Sequence, residues 1–378
     1  MVNGTTANQS WLSRVGASFI AALLGIVLIP GSVIGVFWNE GRSVQTAKSL
    51  DEGARAFVAV PVSALDDRNN GRLVYFTGPL QLAGEASDPV FGISVPMVQL
   101  RRIVQMYQWI EESQSSSPGY GDNRETSGKY VYRTDWDDDV HDSSRFHDQW
   151  GHENPAKRFD NATNVAPRGD VGAFRLGPEV LGKLDGAQTL PLVDEFADKV
   201  IAVTGPPAQR LGQEIYVGAN PNNPVVGDLR ISFEVVDASS VSVIGEQSAG
   251  SVAAYQTDAG DRLLLIDKGT RPPAAMFEKA HDDNRVLTWI LRGVGLLVMF
   301  VGFVMLLFPL PTLVSFIPIV GKAAGFGVML IALVLTALLG ASAIALAWFF
   351  YRPLLSAGLL TVVGAAVGGL IYLRRRAV

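Results

Sequence analysis

Between Asp135 and Glu153 the chain carries Asp135, Asp137, Asp138, Asp139, His141, Asp142, His147, Asp148, His152 and Glu153, and so three of its four histidines. Imidazole with carboxylate can ligate a divalent transition metal, and carboxylates alone can take calcium. Spacing argues against a built site. His141, His147 and His152 are six and five residues apart, which fits neither the i, i+4 histidine pair of a helical zinc site nor an EF-hand loop with its central glycine and terminal glutamate. The alternative is a solvated, charge-rich loop. No residue is assigned as a metal ligand, and no cofactor is expected.

A second polar group, Asn39-Glu40-Gly41-Arg42, lies at the end of a long apolar run. One reading is a patch that contacts another subunit or lipid headgroups, with the planar fork of Arg42 meeting phosphate or carboxylate. The other is a helix-boundary anchor, with Trp38 in the interfacial belt and Gly41 as a local break. Arg352 stands in a short polar turn, Tyr351-Arg352-Pro353, which reads as a corner between two apolar segments rather than a binding site. No G-x-S-x-G, Walker or H-E-x-x-H pattern occurs, so no catalytic residue is assigned and an enzyme is not expected. The chain has no cysteine, which excludes thiol catalysis, zinc–thiolate sites and disulfide staples.

The elements that hold these groups are set by charge. All 36 Asp and Glu fall between Glu40 and Asp283, and the block of residues 39–286 that contains them carries 24 of the 31 Lys and Arg, which leaves it at −12. Such a domain does not suit nucleic acid, whose phosphates demand a basic surface. The flanks hold no acid and seven basic residues. Four apolar runs are long enough for a bilayer whose core needs about 20 apolar residues in a helix: Val15–Phe37, Trp289–Phe308, Gly325–Phe350 and Leu354–Leu373. The first exceeds the roughly 7–15 residues of a signal h-region and is followed by no A-x-A-like site, so it reads as a retained anchor. Arg14, Lys322 and Arg374–Arg376 against Arg352 alone place both termini, residues 1–14 and the basic tail 374–378, in the cytoplasm. The large domain then faces a periplasm or lumen.

The predicted fold class is therefore α+β: one N-terminal span, a β-rich domain over 61–270, and three C-terminal spans. Apolar residues at helical spacing predict juxtamembrane helices over 38–60 and 271–288. Strands are expected at Arg72–Thr77, Arg102–Glu111, Lys129–Trp136, Lys199–Thr204, Leu229–Val236, Val241–Gly245 and Arg262–Asp267 from their β-branched and aromatic residues. A short helix is expected over Pro178–Leu184, and the Ser- and Gly-rich Ser113–Gly128 reads as a mobile tip between two long strands.

Within the spans no carboxylate or histidine occurs, which removes the usual relay of a coupled transporter. Arg292, Lys322 and Arg352 sit at span ends, where snorkelling accounts for them. Small residues are abundant instead. Gly31 and Gly35 form one GxxxG and Gly364 and Gly368 another; such faces let membrane helices approach closely, within one chain or between chains.

Several runs carry a resemblance to a known family: NEGR at Asn39–Arg42, TAKSLDEG from Thr46, GRLVYFTGPL from Gly71, LRRIVQMYQWIE from Leu100, GHENP from Gly151, VGDLRISF from Val226, GDRLLLIDKG from Gly260 and FYRPL from Phe350. In order and over about four fifths of the chain they resemble the LUMA, or transmembrane protein 43, family. The resemblance implies a multipass protein whose large domain lies in the lumen of the endoplasmic reticulum or nuclear envelope in animals, where members self-associate and organise membrane protein complexes. The Ala-, Val- and Gly-rich spans here suggest a bacterial inner membrane with a periplasmic domain. The expected function is a self-associating membrane scaffold whose partners are the bilayer, further copies and other membrane proteins. The alternatives are an oligomeric pore and a metal-dependent envelope enzyme using the Asp135–Glu153 segment.

Overall fold

The computed structural model describes residues 11–114, 129–313, 318–353 and 361. Helices occupy Trp11–Ala56 (α1), Pro178–Leu181 (α2), Asp194–Thr204 (α3), Pro273–Leu307 (α4), Pro309–Leu313 (α5) and Pro318–Tyr351 (α6). The described residues divide into two units, one within 1–48 and 280–378 and the other made of residues 49–114 and 129–279.

The first unit is helical. Three helices are long and apolar enough to cross a membrane, within Val15–Ala56, Pro273–Leu313 and Ala324–Tyr351, each reaching a mean hydropathy of 2.5. Three spans, not four, are thus present among the described residues; the expected fourth, 354–373, lies outside them, as do Gly364 and Gly368. Ile20, Val27, Ile34, Leu297 and Phe326 are more than half exposed, as side chains that face lipid must be. Where helices meet, glycines make the room. A Cβ on Gly25 would sit 2.5 Å from the Gly302 carbonyl oxygen, one on Gly295 would meet Val36, and one on Gly340 would meet Leu296. Met299, Phe303 and Ala332 fill the centre, with Ile29, Val33 and Leu335 packed around them.

The second unit is built on two main sheets. In one, Leu73–Pro79 pairs antiparallel with Ser240–Ser248, which also pairs with Leu265–Lys268. Its core includes Phe76 stacked on Phe174 at 4.2 Å, with Val74, Val243 and Leu181 among its buried members. In the other, Gln99–Gln114 runs beside Leu229–Val236 and pairs over its far half with Lys129–Asp137. Leu229, Ile231, Phe233 and Val235 alternate into that core, the period of two that a half-buried strand imposes. The tip expected over Ser113–Gly128 begins with strand at Ser113 and Gln114; 115–128 lie outside the described residues.

One expected strand is a helix. Lys199–Thr204 forms the end of α3, and its β-branched content misdirects propensity. Spacing decides instead: Ala197, Val200 and Thr204 are buried at helical intervals, Phe196 and Ile201 pack beside them, and Asp194 and Glu195 occupy the first turn, where carboxylates favour a helix start.

A buried polar clamp in the helical unit

Α1 continues through Asn39-Glu40-Gly41-Arg42 without interruption, so Gly41 is not a break. Its missing side chain makes room for the Tyr351 ring, whose Cζ would lie 2.7 Å from a Cβ at this position. Glu40 points inward and is fully buried. Its carboxylate receives Arg292 Nε at 2.5 Å on Oε1 and Arg292 Nη2 at 2.8 Å on Oε2, a fork-on-fork pair from α1 to α4. Trp348 of α6 donates its indole N–H to Oε2 at 2.9 Å. One carboxylate thereby joins all three long helices. The Arg292 guanidinium also lies over the Trp289 ring, 4.6 Å from its centroid.

Arg292 therefore does not snorkel. A charge at this depth is retained only when paired and hydrogen-bonded, and Glu40 supplies that pairing from 252 residues away in sequence. Arg352, which follows the end of α6, places a further positive charge in the surroundings of Glu40. Next to Glu40 on α1, the buried Asn39 donates to the Thr288 carbonyl at 3.1 Å, and the buried Asn284 donates to the Ser43 carbonyl at 2.9 Å. Arg42 donates to Asn284 Oδ1, Asn39 Oδ1 and Thr288 Oγ1. Asn39, Glu40 and Arg42 thus assemble into one cluster whose other members, Arg292, Trp348, Asn284 and Thr288, no sequence motif marked. Gly31 and Gly35 lie elsewhere on α1 and take no part in it.

The histidine-rich segment belongs to the other unit, and its histidines separate. His141 Nε2 is 2.9 Å from Asp137 Oδ2. His147 stacks on Tyr130, with 4.4 Å between centroids. His152 stacks on Tyr132 at 3.8 Å and meets Trp109 edge-on at 4.8 Å. Among the described residues no group of three or more His, Asp or Glu is arranged to hold a metal ion. Within GHENP, Asn154 accepts from Trp109 N–H at 2.7 Å and donates to the Trp109 carbonyl at 2.9 Å. Its side chain takes the place of a neighbouring strand there, so the motif is architectural. Tyr216 is buried and donates to Asp228 at 2.5 Å; burial, with the carboxylate beside it, pushes its hydroxyl well above the ordinary range, which keeps it a donor.

The His141 contact holds the Asp137 carboxyl below the usual carboxylate range, against the opposing effect of burial. A depressed carboxylate stabilises the fold above its unfolded pKa of about 3.9, and that contribution disappears as pH falls through the lower folded value. Asp137→Asn is expected to reduce the loss of thermal midpoint between about pH 6 and about pH 3, followed by near-ultraviolet circular dichroism. An unchanged acid slope would remove this pair from the pH response.

Residues 106–353 match the family model described as Transmembrane protein 43. Transmembrane protein 43 of Pongo abelii is 31% identical over 384 residues, covering 98% of this chain and 94% of its own. The Homo sapiens protein of that name is 30% identical with the same coverage, and the Drosophila melanogaster homolog is 30% identical over 90% of this chain and 91% of its own. No solved structure matches.

Proposed function

The chain belongs to the transmembrane protein 43 family, and on that footing we propose that this multipass membrane protein is a self-associating scaffold that organises other membrane proteins or a region of membrane. The observation that carries the reading is the state of the glycines on α1. Gly25 is consumed by packing against α4, whereas a Cβ built on Gly31 or Gly35 meets nothing within 4 Å among the described residues. These two share a face one turn apart, and they leave it open for close approach of a helix from another copy. The outer strand Lys129–Asp137 offers a second surface, because among the described strands it pairs on one side only and an open strand edge is a template for further pairing.

The same reading places the β-rich unit on the exported side of a bacterial inner membrane or an endomembrane, and it contains no catalytic step. The pore alternative needs a polar stripe along a span. Among the described residues α6 offers Thr336, which is buried, and Ser342, whose hydroxyl is spent on the Leu338 carbonyl at 2.7 Å. Replacing Gly31 and Gly35 together with leucine is expected to lower the number of copies per particle while leaving helix content unchanged, measured by single-particle mass methods and circular dichroism. Wild-type assembly in the double variant would take α1 out of the account.

A further inference from the structure

We propose that Arg42 is the phosphate-binding residue of a site for an anionic phospholipid headgroup, at the membrane level marked by the exposed Trp38 and Trp289. The two other deeply placed arginines each have a carboxylate: Arg292 has Glu40 and Arg102 has Asp88. Arg42 is different. Its three hydrogen bonds go to neutral oxygens, those of Asn284, Asn39 and Thr288, and its Nε has no acceptor. A guanidinium carries five N–H donors; Nε is buried, so the second N–H of Nη1 and a full positive charge remain for a ligand after the clamp is made. Among the described residues, no carboxylate stands within ion-pair reach of it.

The position selects the ligand. Asn39, Asn284 and Thr288 are buried and pin Arg42 from two helices, so its head is fixed before a ligand arrives and little side-chain entropy is lost on binding. Trp38, one helical turn earlier on the same face of α1, is 61% exposed, and Trp289, next to Thr288 on α4, is 68% exposed. Exposed tryptophans on apolar helices mark the level of lipid headgroups, and the apolar run of α1 up to Phe37 ends just before them. A planar cation at the level of these exposed indoles fits the phosphodiester of a lipid bearing net negative charge. This inference does not depend on self-association.

The test uses the full chain in nanodiscs of phosphatidylcholine doped with phosphatidylglycerol, with retained lipids counted by native mass spectrometry during stepwise delipidation. The wild type is expected to keep phosphatidylglycerol over phosphatidylcholine by tenfold or more, Arg42→Gln to lose that preference, and Arg42→Lys to keep part of it. Trp38→Ala, which touches none of the Arg42 hydrogen bonds, is expected to weaken retention several-fold, and it decides the matter should Arg42→Gln fail to fold. A folded Arg42→Gln chain that keeps the wild-type preference overturns the proposal, as does full retention by Trp38→Ala. Inorganic phosphate in large excess is expected to leave the lipid bound; displacement would assign the site to free phosphate and overturn the lipid reading.

Discussion

Glu40→Ala is expected to destabilise the helical unit by about 3–5 kcal/mol, the range for removing one partner of a buried ion pair. The loss comes less from the pair's own attraction than from what the substitution leaves behind. Arg292 would remain about nine-tenths buried with its carboxylate gone, and the indole N–H of Trp348 would lose its acceptor. In apolar surroundings neither group can turn to water for compensation. Thermal unfolding of the full chain in one detergent, followed through helix content, should show a fall of many degrees. Glu40→Gln should lose less, because an amide still accepts from one of the two donors, and the exchange Glu40→Arg with Arg292→Glu should recover part of the deficit. A Glu40→Ala midpoint equal to that of the wild type would show that water reaches the pair and that the clamp does not hold the three helices together.

Arg102→Leu is the second large effect, expected at a similar 3–5 kcal/mol but confined to the β-rich unit. Arg102 occupies a core-facing position of its strand, between Leu100 and Val104, and is 6% exposed. Both oxygens of Asp88 lie 2.7 Å from its Nη1, while its Nε donates to the Asp160 carbonyl at 2.9 Å. Asp88 itself is 1% exposed and also caps the turn after it, accepting from Val90 N–H at 2.9 Å. Leucine suits the volume and polarity of the row but strands Asp88 as an unpaired buried carboxylate. The joint change Asp88→Ala with Arg102→Leu removes both charges and should be milder than Arg102→Leu alone. Amide hydrogen exchange separates the units: the strands around Phe233 should lose protection while α6 keeps its own. Equal protection in both variants would contradict the role given to the pair.

Much of the architecture was legible because two signals are strong in this chain: long apolar runs that a bilayer demands, and strands whose apolar residues alternate. Leu229–Val236 and the long strand from Gln99 show the second. The helix ending at Thr204 was missed because composition was weighed ahead of period; Phe196, Ala197, Val200, Ile201 and Thr204 follow a helical interval. The clamp was half legible. Asn39, Glu40 and Arg42 stood out as polar residues ending an apolar run, but their partners lie some 250 positions away, and only tertiary packing brings Arg292 under Glu40. A signal was present even so: a lone basic residue inside an apolar run needs a counter-charge, and Glu40 is the first acid of the chain, at the end of the apolar run that precedes the β-rich insertion. Arg102 could also have been found, since its parity places a guanidinium in a row of Leu100, Val104 and Met106. Gly31 and Gly35 were marked by motif alone, and packing was needed to show that no described residue fills their face while Gly25 is used within the chain.

The proposed scaffold self-associates through its membrane-spanning part. The particle mass of the full chain in lipid nanodiscs over a range of protein concentrations, with the Gly31→Leu, Gly35→Leu double variant measured alongside, decides whether it does. A discrete assembly of several copies of the 40.5 kDa chain, reduced in the double variant, is the predicted result. A wild-type particle holding one chain at every concentration would contradict it.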